Sequence, residues 1–334
     1  MISITVVIPT YRRPHYLTRC LEALKQQTRP ADEVLVIVRD TDAETWTMLA
    51  AFNLEGLPLR TVTVSIPGQV AALNVGLETS QGEIISITDD DAAPHTDWLE
   101  RLEIHFLSDS SVGGVGGRDW VYHGTHLIDG TCDVVGRAQW FGRVIGNHCF
   151  GAGEPREVDV LKGANMSYRQ SAIAPLRFDE RLRGSGAQVH NDMAFSLALR
   201  RAGWKLIYDP MVAVDHFTAE RFDEDKRNTF NEIALINAVH NETLILLEYL
   251  PPLQRAVFLL WAILLGNRDA WGFVQWLRFL PSERALAGEK LQASLRGRWQ
   301  GWQTWQHSLH VTMEVQNPTR NDLSAKYCPP GDAK

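Results

Sequence analysis

Cysteine is scarce in this 334-residue chain: Cys20, Cys132, Cys149 and Cys328 lie far apart, and no C-x-x-C pair occurs. That spacing excludes a zinc ribbon or a dithiol redox centre and suits incidental thiols in a reducing compartment. Long apolar runs are missing too. The nearest, Ala256 to Leu265, is bounded by Arg255 and Asn267-Arg268 and falls short of the roughly 18 residues a spanning helix needs. Met1 to Pro9 is apolar but has no basic segment before it and no small-residue cleavage site, so it reads as a buried strand. The expected location is cytoplasmic, with the inner face of the plasma membrane as the refinement. Blocks of Lys and Arg are also absent, and the net charge is -7, which sets nucleic acid aside as a partner. No G-x-S-x-G, H-E-x-x-H or Gly-Lys-Ser/Thr occurs, so serine hydrolase, zincin and P-loop chemistry fall away.

What is present is an alternation of β-branched runs with helical patterns. Ile4–Ile8, Val34–Val38, Leu59–Ser65 and Ile84–Ile87 read as strands. Between them, Pro14 suits a helix start ahead of Leu17, Leu21 and Leu24, and Thr41 with Glu44 has capping-box spacing. Val70–Leu77 and Trp98–Phe106 read as further helices. Strands apolar throughout imply a mostly parallel sheet covered by helices on both faces, with ligands bound beyond the strands' carboxyl ends. The polar clusters Thr10-Tyr11, Arg39-Asp40 and Asp89-Asp90-Asp91 all follow strands. Val112–Gly117 (V-G-G-V-G-G) reads as a tightly packed strand and turn, and residues 118–160 as an irregular, substrate-facing insertion. A glycine-punctuated loop, Arg177–Gly186, leads to a helix from Asn191 that stops at Gly203. Lys205–Tyr208 and Val212–Val214 read as short strands, followed by His216.

Three features carry chemistry. Adjacent carboxylates at Asp89–Asp91 repel one another, so the cluster is either a solvated turn or a site for a hard cation, Mg²⁺ or Mn²⁺. Asp192, in a first helical turn behind Asn191 as N-cap, is either a dipole-stabilising acid or a working carboxylate. His216 is either a packing residue or a third ligand to the metal of Asp91.

The order of these motifs resembles family 2 glycosyltransferases of the GT-A fold. The resemblance rests on Val6–Arg13, Gln27–Val34, Gly68 through Asn74 to Gly76, Thr88–Asp91, Gly163–Ser167, Phe178–Glu180, Asn191-Asp192 and Gly203-Trp204. It covers about residues 3–217. It implies an inverting transfer of a single sugar from a nucleotide-diphosphate sugar (UDP favoured, GDP or dTDP the others) to a hydroxyl on a saccharide or lipid-linked saccharide, by a hexosyltransferase of cell-surface polysaccharide or glycolipid synthesis. Pro9, Tyr11, Asp40, Asn74, Asp89 and Asp90 would face the nucleotide sugar, with Asp40 accepting from the base. Asp91 would ligate Mn²⁺ or Mg²⁺, Asp192 would be the general base, and Gly163, Asn165 and Asn191 would lie on the acceptor side. The other reading is a catalytically inactive nucleotide-sugar-binding scaffold of the same fold. Two positions depart from the family pattern: Arg39 stands where an Asp is usual, and Asn191 where a Glu is.

The expected division is a transferase domain over 1–217 (donor half 1–117, acceptor half 118–217), a helical region over 218–310, and a loose tail over 311–334. Residues 255–298 carry seven basic and three acidic side chains, and six of the eleven tryptophans lie between Trp261 and Trp305. That composition suits an anionic membrane surface, or packing on the transferase domain or a twin subunit in a homodimer. Arg298-Trp299 resembles the R-W of processive polysaccharide synthases, but Leu295 stands where their Gln would be.

Overall fold

The computed structural model describes residues 2–226 and 229–316. The first part alternates as β1 (Ile4–Thr10), α1 (Pro14–Lys25), β2 (Glu33–Arg39), α2 (Ala43–Ala51), β3 (Leu59–Val64), α3 (Gln69–Thr79) and β4 (Ile84–Ile87). These strands pair in parallel in the order β3-β2-β1-β4. Helices cover both faces, which is why β1 and β2 are apolar without alternation. Pro14 opens α1, and Leu17, Cys20, Leu21 and Leu24 are its buried side. The cap of α2 falls one residue later than the capping box expected from Thr41 and Glu44. Asp42 caps it, accepting from Thr45 N at 3.2 Å, and its other oxygen takes the Arg12 amide at 2.6 Å. A carboxylate able to serve both loops outcompetes the Thr41 hydroxyl.

β5 (Ala92–Pro94), α4 (Trp98–Ser108) and β6 (Val112–His123) follow. The V-G-G-V-G-G run is the buried start of β6, where a Cβ on Gly117 would stand 1.8 Å from the Val212 carbonyl oxygen. The insertion expected to be irregular contains short pieces only: β7 (His126–Leu127), β8 (Arg137–Ala138), β9 (Val144–Ile145) and β10 (Arg156–Val158). Then come β11 (Met166–Arg169), α5 (Gln170–Ile173), α6 (Asn191–Arg201) and β12 (Lys205–Phe217). The two strands expected over 205–214 are one, its register shifted between Asp209 and Val214. Among the described residues the sheet has ten strands: eight run β10-β12-β6-β11-β4-β1-β2-β3, β5 pairs with β12 and β7 with β6, and β11 is antiparallel to both neighbours.

The chain then turns helical through α7 (Glu232–Tyr249), α8 (Pro252–Leu264), α9 (Phe273–Glu283) and α10 (Ala285–Gln316). Helix α10 thus passes the tail boundary expected at 311, and the rest of that tail, 317–334, lies outside the described residues. Leu244 and Ile245 of α7 share one apolar cluster with Val7, Leu35 and Ile87 of the sheet, and Trp305 packs against it. Gly297 and Gly301 let α10 come close to the Ile236 and His240 carbonyls of α7. Packing onto the sheet domain therefore describes α7 and α10. Arg298 is part of that packing: buried, it meets Glu242 at 2.6 Å and donates to Thr243 Oγ1 at 3.0 Å.

Candidate active site

Parallel pairing puts the carboxyl ends of β1, β2 and β4 on one edge, and a cleft of about 340 Å³ opens there. Pro9, Tyr11, Asp89, Asp90 and Asp91 line it. So do residues that spacing did not single out: Arg13, Gln69, the loop Ser185–Ala187, and Arg221, Phe222 and Asp223. Phe222 closes one side by meeting the Tyr11 ring edge-on at 6.2 Å. The positive end of α3 lies at the cleft, but its first amides are taken: Gln69 N donates to Gly186 O and Val70 N to Gln188 Oε1. A phosphate here would therefore look to Arg13, Arg39, Arg221 or a cation for neutralisation.

The acidic corner is built from three elements. Asp90 is buried, accepting from Thr10 Oγ1 at 2.8 Å and from Arg13 Nη1 at 2.9 Å. Burial pushes its carboxyl up to about 6, against the pull of Arg13 and with repulsion from Asp91. Asp91 is equally buried, and its Oδ2 accepts the Ala219 amide at 2.9 Å. Burial alone would raise its pKa, but His216, Arg13 and that amide hold it well below the usual carboxylate range. β12 pairs with β5 so that His216 lies opposite Ala92, just beyond the triplet. His216 Nε2 stands 3.2 Å from Asp91 Oδ1, within ion-pair distance, and among the described residues its Nδ1 makes no hydrogen bond. Burial disfavours the ring's charge, but Asp91, Asp119 and Asp89 outweigh it and raise its pKa.

One ligand atom each of Asp89, Asp91 and His216 lies within 4.8 Å of the others. Two carboxylates and an imidazole suit a divalent ion that keeps waters and phosphate oxygens in its remaining positions. A buried imidazole with one nitrogen against a carboxylate and the other unbonded among the described residues fits a ligand set for such an ion.

Comparison with known proteins agrees with this geometry. Residues 5–148 match the model of the family described as Glycosyl transferase family 2. Over that stretch the chain is similar to the family, and its fold is of the GT-A type seen in the solved structures below. Over 121 residues the chain is 34% identical to glycosyltransferase AglE of Haloferax volcanii, a match covering 34% of the chain and 38% of AglE. The chain thus spans well under two thirds of the curated relatives it matches. Among solved structures, the mannosyltransferase PcManGT of Pyrobaculum calidifontis, in complex with GDP-Man and Mn²⁺, is similar with a TM-score of 0.54 and 19% identity, covering 95% of this chain and 87% of that one. GalNAc-T7, solved with UDP, GalNAc and Mn²⁺, gives 0.62 at 13% identity, over 95% and 58%.

Other predicted site residues fall elsewhere. Asp40 does not line the cleft; its side chain is 40% exposed, while Arg39 lines the cleft instead. Successive residues at a strand end point to opposite faces, so one position decides which of the pair faces in. Asn74 is buried off the cleft, its amide spent on Phe178, donating to the carbonyl at 3.0 Å and accepting from the amide at 2.8 Å. Asn165 accepts from Trp98 Nε1 at 2.9 Å and donates to Val212 O at 2.7 Å, inside the core. Asn191 is not the N-cap of α6. His190 is, with φ of 74°, and Asn191 holds the preceding loop by donating to Ala187 O and Gln188 O. All three asparagines join elements of the fold.

Asp192 sits in the first turn of α6, half-buried, outside the cleft's lining but at the end of the loop that supplies Ser185–Ala187. Its Oδ2 accepts the Gly163 amide at 3.0 Å and its Oδ1 the Met193 amide at 2.8 Å, which fixes the carboxylate's orientation. Gly163 thus acts through its backbone. Lys162 beside it is pinned by the buried Asp119 at 2.8 Å. The 183–190 loop is clamped from α7, where buried Asn241 accepts the Arg183 amide and donates to Arg183 O and Val189 O.

Proposed function

We propose that this chain moves a single sugar from a nucleotide-diphosphate sugar to an acceptor hydroxyl with inversion of configuration. The convergence of Asp89 and Asp91 of the cleft's lining with buried His216 carries this reading. These residues would hold Mn²⁺ or Mg²⁺, which when bound offsets the charge that grows on a departing diphosphate. The Mn²⁺ in the complexes of PcManGT and GalNAc-T7 supports a divalent ion here too.

The chain's own residues do the rest. Arg13 and Thr10 keep Asp90 in place behind the ligands, and Pro9 and Tyr11 form the wall for the base. Arg39 would meet the base in place of Asp40, a hydrogen-bond donor where an acceptor was expected. The nucleotides bound by the structural neighbours, GDP-Man in one and UDP in another, keep both guanine and uracil donors in the test set. Asp192, steered by the Gly163 amide, would take the acceptor's proton as its oxygen attacks. A single positioned base contributes about 10²–10⁴-fold. Asp192 acting as a base, and not as a nucleophile, corresponds to single displacement and inversion.

The division into a transferase domain over 1–217 and a helical region beyond it is part of the proposal, as is an acceptor within cell-surface polysaccharide or glycolipid synthesis. The test is a panel of UDP-, GDP- and dTDP-sugars with Mn²⁺ or Mg²⁺, scored for release of nucleoside diphosphate. Metal-dependent release from one donor supports the reading. Binding of a donor with no release in the presence of acceptor extracts points to the inactive scaffold, and neither binding nor release rejects both.

A further inference from the structure

Helices α8 and α9 behave unlike the rest of the C-terminal region. α8 buries Phe258 and Ala262 against Leu246 but leaves Leu260 and Leu264 exposed. α9 buries no residue at all, and Phe273, Val274, Leu277 and Leu280 are exposed along it. Spacings of four and three place Phe273, Leu277 and Leu280 in one stripe, and Leu260 and Leu264 in another. A helix with its apolar stripe in water gains nothing from that stripe, so these two consecutive helices want a cover.

Charge indicates which cover. Arg268, Arg278 and Arg284 are exposed, and none has an ion-pair partner among the described residues. Nearby cations of α10 are spent: Lys290 on Glu283, Arg296 on Glu232, Arg298 on Glu242. Between residues 252 and 284 only Asp269 and Glu283 are acidic, and Glu283 is taken. A chain of net charge -7 thus carries three arginines, without a counter-charge among the described residues, beside these apolar stripes. A second copy docking by a two-fold axis would set these arginines against themselves.

We propose that α8 and α9 dock on an anionic lipid bilayer. Their leucines and Phe273 enter the boundary between headgroups and acyl chains, and Arg268, Arg278 and Arg284 meet lipid phosphates. The insertion 118–160 rests on the same element: the Phe141 ring meets Trp261 of α8 at 5.4 Å, and its neighbour Trp140 is 63% exposed. Docking does not depend on the transfer reaction, but under that reading it would bring the insertion to the lipid surface.

The test is co-sedimentation of the full chain at low salt with vesicles of phosphatidylglycerol and phosphatidylcholine, against phosphatidylcholine alone. The expected result is partitioning onto the anionic vesicles only. Partitioning falls by about tenfold or more in Leu264→Glu/Leu277→Glu, and likewise in Arg268→Glu/Arg278→Glu/Arg284→Glu. Circular dichroism melting and donor hydrolysis report that these variants fold. In the unaltered chain, the Trp276 fluorescence, isolated by difference from Trp276→Phe, shifts to the blue on adding anionic vesicles. Failure of the wild type to bind, binding by both variants as by wild type, or no shift at Trp276 overturns the proposal. So does a stable dimer in solution that Leu277→Glu splits, since a second copy then covers this face.

Discussion

Two sets of buried polar residues lie at similar depth in this molecule and have opposite bonding. Asn74, Asn165 and Asn241 each bond through both the oxygen and the nitrogen of the amide to neighbouring backbone or side-chain groups. At the acidic corner, buried His216 sets Nε2 3.2 Å from Asp91 Oδ1 and, among the described residues, leaves Nδ1 without a hydrogen bond. A polar group satisfied within the chain holds the fold, and one poised against a charge and lacking a hydrogen bond is shaped for something from outside. The comparison sorts the candidate residues better than their type does.

Substitutions can break or sharpen that contrast. The largest loss is expected at Asp192: Asp192→Asn lowers transfer by roughly 10²–10⁴-fold. Donor affinity, followed by calorimetry, stays within about twofold, because this carboxylate bonds amides away from the donor cleft. At the corner, His216→Ala raises the Mn²⁺ concentration for half-maximal turnover by about 10–100-fold. Asn241→Ala acts on the loop clamp. It should lower kcat more than it raises the donor KM, alongside a stability loss of about 1–3 kcal/mol in denaturant titration. Asn165→Ala costs stability of the same order, about 1–3 kcal/mol, with donor KM unchanged in the folded protein. The smallest effect is expected at Asp40: Asp40→Ala changes stability by less than about 0.5 kcal/mol and leaves donor KM alone, whereas Arg39→Ala raises it.

The fold was legible where burial writes a pattern. Uninterrupted β-branched runs marked β1, β2 and β4, and Pro14 and Gly203 punctuated their helices. The acidic triplet was legible because strand tips of a parallel sheet converge. The asparagines were not, since the amide that could meet a sugar can equally clip a loop, and only its partners tell which. Arg39 and Asp40 were interchangeable on paper, as a one-residue step reverses the face. Ser185–Ala187 and Arg221–Asp223 reach the cleft by tertiary packing across many residues, which no local spacing records. The C-terminal tryptophans and arginines gave a composition, and it took packing to separate buried Arg298 from exposed Arg278.

The central claim is that Asp89, Asp91 and His216 hold a divalent cation that the donor diphosphate shares. The direct measurement is Mn²⁺ binding by electron paramagnetic resonance with UDP or GDP present, in wild type and in Asp91→Asn. One nucleotide-dependent Mn²⁺ site in wild type, lost in the variant, is the predicted result. Equal binding by both proteins, or turnover untouched by a chelator, would contradict it.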